Sequence, residues 1–473
     1  MVTIRTGNGS DTAINDSALE EFRAGFSGEM VAAEDATYEE VREIWNAMID
    51  TRPGLIARCQ SSDDVILSVN FARDNGLVFS VRGAGHNIAG NSLAEGGLLI
   101  DLSLMTGVDV DEDAKTARVQ PGATLGDVDA ATQAFGLATP TGINSTTGIA
   151  GLTLGGGFGW LSRSYGMTID NLLSAEVVTA DGELVVANES SHPNLFWGIR
   201  GGGGNFGVVT SFEFQLHEVG PEVLAGLIVH DAADAQAALE FYREFAAQAP
   251  DSLTTWVVMR KAPPLPFLDE ATHGTDVVIF ALMYNGDASE GEAAIAPLRA
   301  FGTPVGEHVG LNPYVGWQQA FDPLLTPGAR NYWKSHNFGE LTDDTVATLI
   351  RYAQNLPSGF SEIFIAQMGG ATSSVASDAT AYVGRDAGFV LNVHTRWEDA
   401  ADDERCVAWA REFFDATLPY AIGGAYVNFM TAEESGRVEA AYGQNHERLV
   451  AVKDEYDPDN LFRFNQNIVP STR

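Results

Sequence analysis

Lysine is almost missing from this chain. Lys115, Lys261, Lys334 and Lys453 are the whole complement, so the 27 basic residues include 23 arginines, against 64 acids and a net charge of −37. A surface so short of cations repels nucleic acid, whose binding rests on neutralising phosphates. It also repels itself, a lever that halophilic proteins use. The acids are spread along the chain rather than gathered in a tail. That pattern suits work in concentrated salt, where the Debye length shrinks to roughly 3 Å at 1 M. The expected result is a melting temperature that climbs with added KCl; a flat response removes the halophilic reading. Cysteine is scarce too. Cys59 and Cys406 stand far apart, neither at metal-ligand spacing, which reads as two free thiols in a reducing compartment. No apolar run reaches about 18 residues, so no membrane span is expected. The opening stretch MVTIRTGNGSDTAIND has no basic start before an apolar segment, so the expected location is the cytoplasm. The nine histidines contain no i, i+4 pair and no Gly-x-Ser-x-Gly occurs, which sets aside zinc proteases and serine hydrolases and leaves no metal expected.

What is present is a long, apolar, glycine-rich chain. A length of 473 residues exceeds what one hydrophobic core organises, so two domains are expected. The first half alternates strands and helices. Leu55–Arg58 and Leu77–Val81 read as strands, with a helix between them capped near Ser62 and stopped at Asn75-Gly76. A right-handed crossover would put both strands in one parallel sheet. Asp181-Gly182 marks a hairpin into ELVVA. Beyond about residue 217 glycine thins out and the texture changes. Helical patterns at 232–247, 291–300, 343–355 and 401–416 alternate with the extended segments TTWVVM, DVVIFALMY, SEIFIAQM and GFVLNVHTRW. That order predicts an antiparallel sheet with helices on one face.

The most informative segment is VRGAGHNIAGN at 81–91. A buried-looking strand breaks into a loop with Gly83 and Gly85, and His86 follows at once. Glycine lets backbone approach a ligand without a Cβ in the way. Successive N–H groups in such a loop suit a pyrophosphate. Two further glycine runs follow, TGINSTTGIAGLTLGGGFGW at 141–160 and GGGGNFGVVTSFEFQL at 201–216. Neither is a dinucleotide fingerprint at a first strand–helix turn, so a Rossmann reading is not supported.

With RGAGHN, GLTLGGGFGWLSRSYGMTIDNLLSAEVVTADG, LFWGIRGGGGNFGVVTSFEF and the tail YDPDNLFRFNQNI in this order, the chain resembles the flavin-linked oxidases of the vanillyl-alcohol oxidase superfamily, in the berberine-bridge-enzyme-like branch. The resemblance implies an α+β, two-domain flavin oxidase fold. Residues 1–217 would form the FAD-binding domain, 218–423 a substrate domain with an antiparallel sheet and helices, and 424–473 a C-terminal return completing the first. It implies FAD attached covalently through His86, with Arg82, Gly83, Ala84, Gly85 and Asn87 around it. Asn144, Thr147, Gly148, Gly151, Gly207, Val209, Asn465 and Asn467 are the other implied cofactor contacts. The position at which some members carry a second, cysteinyl link falls on Asn144, so a single histidyl link is expected. Thr147, where many members carry an aliphatic group governing oxygen access, leaves oxidase and dehydrogenase unseparated.

The implied activity is hydride transfer from a small alcohol, sugar or amine to FAD, with O₂ as acceptor giving H₂O₂. A dehydrogenase with another acceptor and a flavin-binding protein without turnover are the alternatives. Backbone N–H groups at 148–151 are the expected donors to the reduced ring. Many members carry a basic tyrosine where this chain has Phe429, so the base must lie elsewhere. Alternation in GFVLNVHTRW puts Asn392, His394 and Arg396 on one face, which makes His394 a candidate base. Tyr426 is a second candidate, Gln367 a possible substrate contact, and Tyr332 and His336 further options.

Overall fold

The structure is a computed structural model describing residues 2–471. Its first sheet has four strands, β1 (Glu29–Ala32), β2 (Leu55–Arg58), β3 (Phe79–Arg82) and β4 (Leu98–Asp101), in the order β1-β2-β4-β3. β2 and β3 both run parallel to β4, which lies between them, so the crossover reading places them in one sheet but not side by side. Helix Ser62–Asp74 makes the crossover, and the Ser61 hydroxyl caps it by accepting from the Asp64 N–H. The helix buries Val65, Val69 and Ala72 in the same apolar cluster as Leu55, Phe79, Leu98 and Ile100.

A second sheet is antiparallel: β5 (Val108–Asp111), β6 (Thr116–Val119), β7 (Leu172–Val178), β8 (Leu184–Ala187) and β9 (Val208–Gln215), in the order β8-β7-β9-β6-β5. The tail returns to this sheet's core. Leu449, Val452 and Ile468 pack with Phe196, Phe206 and Phe212.

The third sheet holds seven antiparallel strands: β10 (Glu222–Asp231), β11 (Leu253–Lys261), β12 (Asp276–Tyr284), β13 (Gly306–Pro313), β14 (Arg330–Phe338), β15 (Glu362–Gln367) and β16 (Phe389–Trp397). Their order is β13-β10-β12-β11-β15-β16-β14. Helices Ala235–Ala246, Asp343–Ala353 and Asp403–Thr417 cover one face, burying Val257, Phe280, Ile363, Ile365 and Leu391. Because side chains alternate along a strand, Trp256, Phe364 and Val390 point to the other face, towards the glycine-rich segments. These helices and Ala288–Ala300 match the predicted pattern, with no end shifted by more than three residues. β10, β13 and β14 are additions that the sequence reading lacked. Both cysteines are buried in separate apolar clusters. Among the described residues no helix is long and apolar enough to cross a membrane.

Candidate active site

A cavity of about 330 Å³ lies between the uncovered face of the seven-stranded sheet and the glycine-rich loops. One wall is backbone. The loop leaving β3 contributes residues 83–87, and Asn144, Thr147, Gly148, Gly151, Gly207, Val209 and Asn465 line the same space. Gly207 has φ +156°, and a Cβ there would lie 2.6 Å from Val177 Cγ1. Only glycine fits. At Gly151 and Gly204, by contrast, a Cβ would meet nothing within 4 Å, which leaves room for a ligand to lie against the main chain.

The polar atoms on this wall are waiting for partners. His86 Nε2, Asn144 Nδ2, Asn465 Oδ1, Ser80 Oγ and Ser92 Oγ are buried, unpaired and all on residues lining the cavity. A buried polar atom left unpaired costs about 1–3 kcal/mol, so five around one space fit a polar, extended ligand such as FAD. Burial, reinforced by the nearby positive charge of Arg396, pulls the His86 imidazole down to about 4, so it is neutral at pH 7. No cysteine lines the cavity among the described residues.

Three expected cofactor contacts are not where the motifs put them. Arg82 does not line the cavity; its Nε and Nη2 donate to Asp101 at 3.1 and 2.7 Å, bracing the end of β3. Asn467 also lies outside the lining. Of the expected backbone donors, Ile149 N–H is taken by Ala123 O at 3.0 Å.

The opposite wall is the sheet face carrying Trp333, His394, Glu362, Asn392, Phe364 and Trp256. Register explains the grouping, since Glu362 and Trp333 each sit directly across from His394, and Phe364 across from Asn392. His394 Nδ1 lies 2.9 Å from Glu362 Oε1, while Nε2 is buried without a partner. Arg260 Nη1 donates to the other oxygen, Glu362 Oε2, at 2.5 Å. Burial opposes the Glu362 charge, but Arg260 and His394 outweigh it and hold the carboxyl down to about 2. The carboxylate therefore fixes Nδ1 as the protonated nitrogen, which leaves Nε2 as the proton acceptor. Asn392 Oδ1 is a second unpaired acceptor on the same face.

The other candidate bases fare differently. Tyr426 lines the cavity, but its oxygen accepts from Gly157 N–H at 3.2 Å and Asn428 Nδ2 at 3.1 Å. Burial pushes its phenol up to about 12 against the lowering effect of those two donors, so it stays protonated and is a hydrogen-bond donor rather than a base. Gln367 sits on the helix-covered face. Its Oε1 accepts from Thr255 Oγ1 at 2.8 Å and its Nε2 donates to Ala246 O at 2.8 Å. Tyr332 and His336 also miss the cavity. Tyr332 bonds Glu433 and accepts from Arg411, and His336 stacks on Phe414 with ring centroids 4.0 Å apart. Trp333, between them in the other phase of β14, is the residue that reaches the site. Glu362, Arg260, Trp45 and Trp333 were not singled out in the sequence; the one signal for Glu362 is a carboxylate at the head of the apolar run IFIA.

A family model described as FAD binding domain matches residues 53–188, and one described as berberine and berberine like matches 425–469. The chain belongs to the berberine-like FAD-linked oxidoreductases of the vanillyl-alcohol oxidase superfamily, and it is an enzyme of that class. More particularly, it is 33% identical over 463 residues to (R)-6-hydroxynicotine oxidase of Paenarthrobacter nicotinovorans, covering 94% of this chain and 97% of that one. An uncharacterized FAD-linked oxidoreductase of Bacillus subtilis is 31% identical over 457 residues, covering 94% and 98%. The crystal structure of 6-hydroxy-D-nicotine oxidase from Arthrobacter nicotinovorans superposes with a TM-score of 0.84 at 30% identity, covering 94% of this chain and 98% of that one.

Proposed function

We propose that this protein is an oxidase that holds FAD covalently through His86 and takes a hydride from a small planar substrate, passing the electrons to O₂ as H₂O₂. The observation that carries the reading is His394. Its Nε2 has no protein partner, its Nδ1 is tied to Glu362, and it faces a glycine-lined wall across one cavity. Bound FAD supplies the two-electron acceptor. His394 Nε2 takes the proton from the substrate O–H or N–H as the hydride leaves. Asn392 Oδ1 orients the same group, and the protonated Tyr426 donates a hydrogen bond. Residues 1–217 with 424–473 serve the cofactor, and 218–423 serve the substrate.

Substrate class follows from the walls. Trp333, Phe429, Phe158, Trp256 and Phe364 form a chain of edge-to-face aromatic contacts with neighbouring centroids 4.8–6.3 Å apart. Aromatic faces of this kind take a flat ring. A sugar, with a hydroxyl on nearly every carbon, would leave several of them unpaired there. The likeness to an oxidase of 6-hydroxynicotine supports a hydroxylated aromatic ring bearing an oxidisable amine or alcohol. Anaerobic mixing with a hydroxylated pyridine amine, a benzylic alcohol, glucose and cellobiose tests this. The aromatic compounds should bleach the flavin and air should restore the colour with H₂O₂ released. Faster bleaching by the sugars would overturn the substrate class, and a reduced flavin stable in air would overturn the oxidase.

Covalent attachment has its own test. Acid precipitation of the purified protein should leave a yellow pellet, and His86→Ala should leave a white one while still taking up FAD reversibly. A white wild-type pellet would exclude the bond.

A further inference from the structure

The loop that carries His86 packs against residues 44–47, of which Trp45 itself lines the cavity. Trp45 stacks on the His86 imidazole with ring centroids 4.2 Å apart and planes 25° from parallel. The indole is itself fixed at several points. Its Nε1 donates to Leu325 O at 2.9 Å, and its backbone N–H donates to Gly85 O at 3.1 Å. Gly328 N–H donates to Trp45 O at 3.3 Å. Next to it, Asn46 Nδ2 donates to both Ile88 O (3.1 Å) and Asn331 O (3.0 Å). The Arg396 guanidinium lies over the indole, its carbon 5.2 Å from the ring centroid. Arg396 is anchored to Thr326 O at 2.5 Å. The stack therefore joins the flavin-side loop to β14 and β16 of the other sheet.

We propose that Trp45, braced by Arg396, is a positioning residue for flavin attachment, holding the His86 ring in the one orientation from which it bonds to the flavin methyl carbon. The inference rests on the covalent reading above. In the step, a bond forms between an imidazole nitrogen of His86 and that carbon. The imidazole N–H and one methyl C–H each release a proton, and two electrons pass to the flavin. Dioxygen then takes the two electrons and two protons as H₂O₂. Such a nucleophilic addition needs a neutral imidazole at a fixed angle. The buried ring supplies the first. An imidazole free to rotate would supply the second only rarely, and a misplacement of about 1 Å costs on the order of 10²-fold in rate. A flat aromatic face removes that freedom without offering a proton or a hydrogen bond that would occupy Nε2.

The experiment follows attachment itself, not turnover. Wild type, Trp45→Phe, Trp45→Leu and His86→Ala are produced without flavin, mixed with FAD in air, and sampled over time. Fluorescence of the denatured band and intact mass report the bond, and flavin absorbance of the native protein reports reversible uptake. Trp45→Leu should take up FAD normally yet form the bond about 10²-fold more slowly. Trp45→Phe, which restores a flat face, should return the rate to within about threefold of wild type. Attachment in Trp45→Leu at the wild-type rate would overturn the proposal. So would a Trp45→Leu protein that binds no FAD, since Trp45 would then serve the fold or the pocket instead. Absence of the bond in wild type would instead bring down the covalent reading.

Discussion

Replacing His394 by alanine is expected to lower the rate of flavin reduction by about 10²- to 10⁴-fold while leaving FAD uptake unchanged, the range that loss of a positioned base costs. On the cavity face of the seven-stranded sheet, His394 Nε2 is a buried acceptor with nothing bound to it, and Phe429, which lines the same cavity, has no hydroxyl to compete. Tyr426 is protonated, with its oxygen already engaged by two donors. Glu362 is ionised, but one oxygen is bound by His394 and the other by Arg260. In the proposed reaction it orients His394 and does not compete with it. Single-turnover reduction of the anaerobic enzyme by its best substrate measures the effect directly. A His394→Ala variant within about threefold of wild type would sink the assignment, given the magnitude such bases contribute. Glu362→Gln is a less clean probe, because it leaves Arg260 buried without its partner, which costs on the order of 3–5 kcal/mol of stability.

How this site could be read from the sequence divides along a physical line. Glycine requirements are local, so the loops at 83–87, 148–151 and 201–207 declare themselves; a backbone that must pass close to a neighbour or a ligand excludes every other residue. Alternation within a strand is also local, and it groups Asn392 with His394. It does not say which of two faces is the cavity. Gln367 shows the ambiguity, because it shares a strand with Glu362 and Phe364 but falls in the opposite phase, under helix Ala235–Ala246. Strand pairing is less legible still. Glu362 matters because register sets it opposite both His394 and Arg260, a relation between three strands separated by helices. β14, with the sequence RNYWKSHNF, has too many polar residues to announce itself as a strand; it lies at the edge of the sheet, yet every residue but Arg330 is buried. β10 was hidden by Gly226, which weakens a strand on paper. In the fold it admits β13, since a Cβ there would lie 2.0 Å from His308 O. Arg82 shows the same limit from another side. A motif gives the position of a cation, and only the neighbouring strand shows that Asp101 takes it.

The largest stability effect is expected at Lys453, one of the four lysines and the only one with no exposed side-chain surface, as is its partner Asp457. Lys453 Nζ donates to Asp457 Oδ2 at 2.6 Å, to Asn205 O at 2.8 Å and to Phe462 O at 3.0 Å. Asp457 in turn accepts from the N–H groups of Leu461 and Phe462 at 2.7 and 2.8 Å. One ammonium thus ties the tail to the glycine run at 201–207, and the tail carries Asn465 to the cofactor wall. Lys453→Ala leaves the Asp457 charge buried and unpaired, a loss of about 3–5 kcal/mol. At about 2–4 °C per kcal/mol for a large domain, the melting temperature should fall by about 10 °C. FAD uptake should weaken with it. Added KCl should not rescue the variant, because a buried pair is screened far less than surface charge. Adding Asp457→Asn, which removes the orphaned charge and keeps an oxygen for one of the two N–H groups that Asp457 meets with different oxygens, should recover part of the loss. A single variant melting within about 2 °C of wild type would show that the tail is held by its apolar contacts alone, since that shift corresponds to no more than about 1 kcal/mol.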